Sequence, residues 1–251
     1  MKIQVLASGS KGNSTYIESD DTRILIDVGI NYSRIKKSLD KISVDLNTLD
    51  GIIITHTHSD HIGGLSSLIK KIDVPVFIKE ELFPEIKKII PESNIVTIED
   101  DFFSIKGLDI DIINGSHDVP AFGFIISDAS KKMLYLTDTG YINRKYVNFA
   151  KNLDLYMIES NHDEKMLMEG PYPYILKQRV ISDQGHLSNK YTGNFLNKVI
   201  GDKTKCIILA HLSENNNTPE LALEQVTGEI KNNKIDFVIA KQYEETEMVE
   251  I

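Results

Sequence analysis

His56-Thr57-His58-Ser59-Asp60-His61 packs four metal-binding side chains into six residues, directly after the apolar run Gly51-Ile52-Ile53-Ile54-Thr55. The run reads as a buried strand and the motif as a metal site at its end. Residues two apart in extended backbone project to the same side, so His56 and His58 can bind one ion. Asp60 and His61 fall past the bend and can serve another.

The remaining histidines support this reading, since the chain has seven and three lie in the motif. His117 follows the run Asp109 to Ser116, and His211 follows Cys206-Ile207-Ile208-Leu209-Ala210. Asp138 stands in the same position after Met133-Leu134-Tyr135-Leu136-Thr137. Four strands therefore deliver His, Asp or both at one end, which is where open α/β sheets build their sites. The lone Cys206 excludes an internal disulfide and reads as a small core residue.

A chain of 251 residues, 41% hydrophobic, can bury one large core, and a single domain over 1–251 is expected. No apolar run approaches the roughly 20 residues of a membrane span, and Met1 to Ala7 alternates as a first strand does. A soluble, cytoplasmic protein without membrane partners is the expectation. The 28 Lys plus Arg against 37 Asp plus Glu give a net charge of −9, which argues mildly against non-specific nucleic-acid binding. Two divalent ions would offset that charge locally.

Strands are expected near 2–7, 15–19, 22–27, 51–54, 75–78, 94–98, 102–106, 108–114, 121–127, 132–137, 153–158, 204–209 and 234–239. Helices are expected near 32–41, 63–71, 80–90, 143–150, 163–168, 188–199 and 218–232. Short hairpins around Asp20-Asp21 and Ser127 to Lys131, mixed with β-α-β crossovers, point to mixed sheets with helices outside them.

HTHSDH followed by His117, Asp138 and His211 resembles the signature of the metallo-β-lactamase superfamily, whose fold is an α/β sandwich, αββα, of two mixed sheets flanked by helices. Leu6 to Asn13, Leu136 to Tyr141, Glu159-Ser160-Asn161-His162-Asp163, Gly170 to Tyr174, Ser182 to Asn189 and Ala210 to Ser213 are similar to the YycJ/WalJ-type metallohydrolases of bacteria. That resemblance implies a 5′-to-3′ exonuclease acting on double-stranded DNA with a free 5′ end. It assigns His56, His58 and His117 to a first metal and Asp60, His61 and His211 to a second, with Asp138 bridging. The chemistry agrees, because imidazole and carboxylate without thiolate suit Zn²⁺ or Mn²⁺, and also Fe²⁺. Two such ions about 3.5–4 Å apart can hold a hydroxide and clamp both oxygens of a phosphodiester displacement.

Asp60 and His186 are the candidate catalytic residues. His186, in Gly185-His186-Leu187-Ser188-Asn189, resembles the His-Ser-Thr loop of RNase Z-like phosphodiesterases, where a histidine helps protonate the leaving oxygen. The alternative is an exposed histidine beside a helix cap, since Ser188 or Asn189 is a good N-cap. His162 can orient His186, touch substrate or simply satisfy a loop. Tyr172, Tyr174, Lys177 and Arg179 can stack a terminal base and hold phosphates, or form a core face with solvated ends. Ser8, Ser10 and Asn13 lie in a glycine-rich loop that can offer N–H groups to a phosphate or serve as a tight connector.

Competing functions are narrowed by what is missing. A flavodiiron-type centre has glutamate where His58 stands, and the interval from Asp138 to His211 is too short for the extra domain of RNase J-like enzymes. Hydrolysis of a small cyclic phosphodiester, a thioester or a lactone is the enzymatic alternative. A binding module that lost turnover would be expected to lack ligands, and all seven are here.

Overall fold

The computed structural model describes residues 1–231 and 234–251. In the first sheet, β1 (Lys2–Ala7), β2 (Ser14–Ser19), β3 (Thr22–Ile26), β4 (Gly51–Ile53), β5 (Val76–Lys79) and β6 (Ile95–Ile98) lie side by side in chain order. The second holds β7 (Phe102–Ile105), β8 (Leu108–Asn114), β9 (Phe122–Ser127), β10 (Lys132–Leu136), β11 (Leu155–Glu159), β12 (Cys206–Ala210) and β13 (Asp236–Ile239), likewise in order. Finally β14 (Val249–Glu250) returns to pair with β1.

Each sheet starts antiparallel and continues parallel. Pairing is antiparallel from β1 to β3 and parallel from β3 to β6. It is antiparallel from β7 to β10 and parallel from β10 to β13. Parallel neighbours need crossovers, supplied by α1 (Tyr32–Lys41), by α2 (Ser59–Ile62) with α3 (Leu65–Ile69), and by α4 (Phe83–Ile86) on the first sheet. The second sheet uses α5 (Arg144–Val147), then α6 (Glu164–Glu169), α7 (Tyr174–Ile181) and α8 (Asn189–Val199), then α9 (Pro219–Glu229). Two antiparallel steps restore direction, so β8, β10, β11 and β12 all end at one edge of their sheet.

Side chains alternate across a strand, and both faces of the second sheet are covered. Met133, Tyr135, Met157 and Ile208 join Ile24, Ile26 and Ile52 in the core between the sheets. Leu134, Leu136, Tyr156, Ile158, Ile207 and Leu209 pack instead with Phe195 and Leu196 of α8 and Ala222 and Val226 of α9. This two-sided burial explains why these strands read as unbroken apolar runs. The layers are those of the expected αββα sandwich, and Cys206 is a buried free cysteine.

Several expected helices are shorter or broken. The one over 63–71 shrinks to α3, which starts after Gly64 where the chain meets the loop after β3: a Cβ on Gly64 would come 1.9 Å from the Ile30 carbonyl oxygen. Those over 80–90 and 143–150 shrink to α4 and α5, and α2, α7 and β14 were not expected as elements. The helix over 218–232 ends at Glu229, and residue 232 lies outside the described residues. Among the described residues no helix is long and apolar enough to cross a membrane.

The Tyr156 hydroxyl ties β11 to α8. It accepts from Leu153 N–H at 3.0 Å and lies 2.7 Å from Ala150 O and 2.9 Å from Val199 O. Burial pushes its pKa up to about 12, against the Leu153 N–H bond, which pulls it down. A Tyr156→Phe protein strands the Leu153 N–H in the core, so denaturant unfolding is expected to show a loss of about 1–3 kcal/mol. Unchanged stability would contradict this account of the tie.

Candidate metal centre

The site forms where the strand ends of the two sheets meet. Asp27 follows β3, the His56 to His61 motif follows β4, His117 follows β8, Asp138 follows β10, Glu159 ends β11 and His211 follows β12. Three of these turn out of their strands in the left-handed region: Asp27 at φ 61°, Asp138 at φ 56° and His211 at φ 55°. Such conformations cost on the order of 1–3 kcal/mol each and persist where the surroundings enforce them. At His211 that enforcement is visible, because its N–H donates to Ser8 Oγ at 2.8 Å and its carbonyl accepts from Asn161 Nδ2 at 2.9 Å.

All seven residues singled out for metals come together. Ligand atoms of His56, His58 and His117 lie within 4.8 Å of one another, as do those of Asp60, His61 and His211, and those of His56, His61 and Asp138. Asp138 sits between the groups, with Oδ2 3.3 Å from His61 Nε2 and Oδ1 3.4 Å from His211 Nε2. Asp60 Oδ2 is 3.4 Å from His61 Nε2 and 3.6 Å from His211 Nε2. Only glycine at 29 lets the loop after β3 pass this close, since a Cβ there would stand 1.7 Å from the Asp60 carbonyl oxygen.

Most of these imidazoles are fixed through Nδ1, which leaves Nε2 toward the centre. His61 Nδ1 donates to Asp27 Oδ2 at 2.7 Å. His56 Nδ1 is 3.0 Å from Thr55 Oγ1, which donates onward to Asp27 Oδ2 at 2.8 Å. His117 Nδ1 meets the Gly185 carbonyl at 3.2 Å and His211 Nδ1 meets Glu159 Oε1 at 3.1 Å. His56 Nε2, His117 Nε2, His211 Nε2 and Asp138 Oδ2 are buried without a hydrogen-bond partner. Roughly nine in ten buried polar atoms are partnered, so four orphans in one cluster mark the place of a cation. The donors, all nitrogen and oxygen, suit a divalent metal.

Burial works against charge throughout the cluster, and neighbours decide which groups keep it. Burial and the neighbouring imidazoles His61, His58 and His117 drive His56 down to about 2, and His117 is lowered by burial. His211 is lifted to about 10 because Asp138, Asp60 and Glu159 outweigh its burial. His61 rises well above its ordinary value under Asp138 and Asp27. Burial pushes the Asp27 carboxyl up against the pull of His61, so the pair holds a proton between them. Asp60 and Asp138 are held low by the histidines around them, despite burial.

His186 stands beside the clustered donor side chains, its ring centroid 5.2 Å from that of His117 and 5.4 Å from that of His211. Its Nδ1 donates to Glu159 Oε1 at 2.7 Å. Burial lowers its pKa, but Glu159 and Asp138 raise it on balance. Glu159 itself is held down to about 2, since His186 and His211 offset its burial.

Three carboxylates of the site were missed in the sequence. Asp27 and Glu159 orient histidines from behind. Asp118 Oδ1 lies 3.2 Å from His58 Nε2 and 3.3 Å from His117 Nε2. Asp27 carried one usable signal, a lone acid ending the apolar run Ile24-Leu25-Ile26 as Asp138 ends its own.

The candidate substrate residues separate into groups. Ser10, Tyr172 and Arg179 line a hollow with His186 and His211, and Arg179 is ion-paired to Asp118. Ser8 and Asn13 are committed to the framework: Ser8 holds His211, and Asn13 Nδ2 lies 3.2 Å from Asp60 Oδ2 and 2.9 Å from His61 Nε2. Lys177 Nζ donates to the Met168 carbonyl at 2.7 Å, and Tyr174 is an exposed residue of α7. His162 is buried with Nδ1 unpartnered, its pKa lowered to about 4 by burial, and it borders a hollow shared with His186.

A profile of the metallo-beta-lactamase superfamily matches residues 7–190. The chain belongs to the metallo-β-lactamase superfamily. As such it is a metal-dependent hydrolase. It is 35% identical over 235 residues to exodeoxyribonuclease YycJ of Bacillus anthracis, covering 90% of this chain and 88% of that one. It is 36% identical over 229 residues to exodeoxyribonuclease WalJ of Streptococcus pneumoniae serotype 2, covering 88% and 85%. Among solved structures, the metallo-beta-lactamase fold protein YhfI of Bacillus subtilis superposes with a TM-score of 0.75 at 19% identity over 98% of this chain and 99% of that one.

In a metallo-β-lactamase centre of this kind the residues behind the ligands set ligand basicity and orientation. An Asp27→Asn protein is expected to bind divalent metal about 10–100-fold more weakly, read by chelator competition on a folded sample. Wild-type affinity would show that His61 does not depend on Asp27.

Proposed function

We propose that the chain is a dinuclear metal-dependent phosphodiesterase that removes nucleotides from the 5′ ends of linear double-stranded DNA. The observation that carries this reading is His186, tethered to Glu159 next to the seven-donor cluster. The names of the two bacterial relatives, both exodeoxyribonucleases, support it. His56, His58 and His117 would hold one ion and Asp60, His61 and His211 the other, with Asp138 between them. Two ions so held, Zn²⁺ or Mn²⁺, supply the positive charge that draws in a phosphodiester and acidifies water.

The protein's own part is positioning and proton delivery. An alkoxide released from DNA is a poor leaving group and needs a proton as the bond to phosphorus breaks. His186 meets that need, because Glu159 favours its protonated imidazole and fixes its ring. Asp60 stays ionised and Asn13 restrains its carboxylate. A free terminus must enter the hollow beside Arg179, Tyr172 and His211, so closed circular DNA should resist.

His186→Ala is expected to keep its metal yet cleave end-labelled duplex DNA roughly 10²–10⁴-fold more slowly, the usual size of a general-acid contribution. On bis(p-nitrophenyl) phosphate the defect should shrink, since that leaving group needs no proton. Equal losses on both substrates would remove the acid role from His186. A wild type that hydrolyses the aryl diester while leaving every DNA end intact with Zn²⁺, Mn²⁺ and Mg²⁺ would favour a small-molecule phosphodiesterase.

A further inference from the structure

We propose that the groove between α5 and α8 is the track that carries the substrate strand away from the scissile phosphate, an inference that rests on the nuclease reading above. The groove encloses about 760 Å³ and is lined by Tyr141, Arg144, Lys190, Tyr191, Asn194 and Lys198. A smaller hollow bordered by Gly140, His162 and His186 shares Glu164, Ser188 and Tyr191 with it. The path from the proposed acid into the groove is therefore continuous. Ser188 is also the N-cap of α8, so the helix starts beside the acid and runs outward along the groove.

The groove's cations are available where others near the site are not. Arg179 is engaged by Asp118, Lys177 by the Met168 carbonyl and Lys11 by Glu214. Arg144, Lys190 and Lys198 form no ion pair among the described residues. One acid, Glu164, lines the same groove, and its carboxylate already accepts from Ser188 Oγ at 2.9 Å. In a chain of net charge −9, a groove with three cations against one acid is a local reversal of sign that favours a polyanion.

The spacing fits a strand of nucleotides. Lys190, Asn194 and Lys198 fall at i, i+4 and i+8 on one face of α8, a stripe about 12 Å long at the helical rise. Phosphates of one B-form strand advance about 3.4 Å each, so the stripe follows roughly three or four nucleotides. Tyr141 and Tyr191 are 38% and 39% exposed beside it, which leaves aromatic surface for base stacking. The Tyr191 hydroxyl accepts from Ile142 N–H at 3.2 Å, so that ring is held in place before any ligand arrives.

The test compares wild type with R144A/K190A/K198A and with a charge-matched control, K37A/K70A/K71A, in α1 and just past α3 on the opposite sheet. The groove variant is expected to raise KM for a 20-nucleotide duplex about tenfold or more. It should lower the log–log salt slope of binding, measured by anisotropy in chelator, by about two to three. Turnover of bis(p-nitrophenyl) phosphate should stay within about twofold, and the control should match wild type on all three readouts. A wild-type enzyme that degrades DNA, paired with a groove variant of unchanged KM and salt slope, would overturn the track and leave the nuclease reading standing. Equal losses in the control would reduce the effect to net charge and also overturn it. If wild type cleaves no DNA, the nuclease reading falls and the track with it.

Discussion

Two carboxylates with no solvent exposure, Asp27 behind the first sheet's loop and Glu159 at the end of β11, hold the geometry of the whole centre. A buried acid is costly unless it is hydrogen-bonded, and each is satisfied by imidazoles that in turn face the cluster. Asp27 takes His61 directly and His56 through Thr55, whose N–H it also accepts at 2.9 Å. Glu159 takes His186 and His211 together with the N–H groups of Thr139 and Leu187. One network thus reaches from the first sheet and the other from the second, and they meet at Asp138.

The topology makes that meeting possible. Parallel strands finish at a common edge, so β10, β11 and β12 deliver Asp138, Glu159 and His211 side by side, while β8 brings His117 to the same edge. Left-handed backbone at Asp27, Asp138 and His211 sets the turn just past the ends of β3, β10 and β12. Stability comes from the covered faces of the sheets, and the cost of these turns and of the clustered like groups is carried by that core. Function is concentrated where the fold is locally least favourable.

Much of this was legible because metal chemistry needs rare side chains in dense patterns. The motif from His56 to His61, and His117, Asp138 and His211 after their apolar runs, were visible without a structure. So were mixed sheets with helices outside them, from the hairpins and crossovers, while their arrangement as a two-sheet sandwich came from the family resemblance. Asp27 and Glu159 were not, because their meaning lies in partners 34 and 27 residues away and an acid after a strand reads equally as a turn. Asp118 was hidden by its neighbour His117. Lys177 and Arg179 drew attention as cations near the site, yet a carbonyl and a carboxylate already hold them, whereas the uncommitted cations lie on a helix whose position beside His186 only the fold reveals. Helices over 80–90 and 143–150 were overextended because Glu80–Leu82 forms a 3₁₀ turn and the residues after α4 and α5 continue as single hydrogen-bonded turns instead of regular helix.

The dinuclear proposal has one carboxylate, Asp138, joining two ions into a single centre. Anomalous diffraction from crystals soaked in Mn²⁺ or Zn²⁺ tests it directly. Two peaks about 3.5–4 Å apart, with Asp138 oxygens in reach of both and three further protein donors at each, are predicted. A single peak at full occupancy at saturating metal, in crystals of protein that still turns over substrate, would contradict the account.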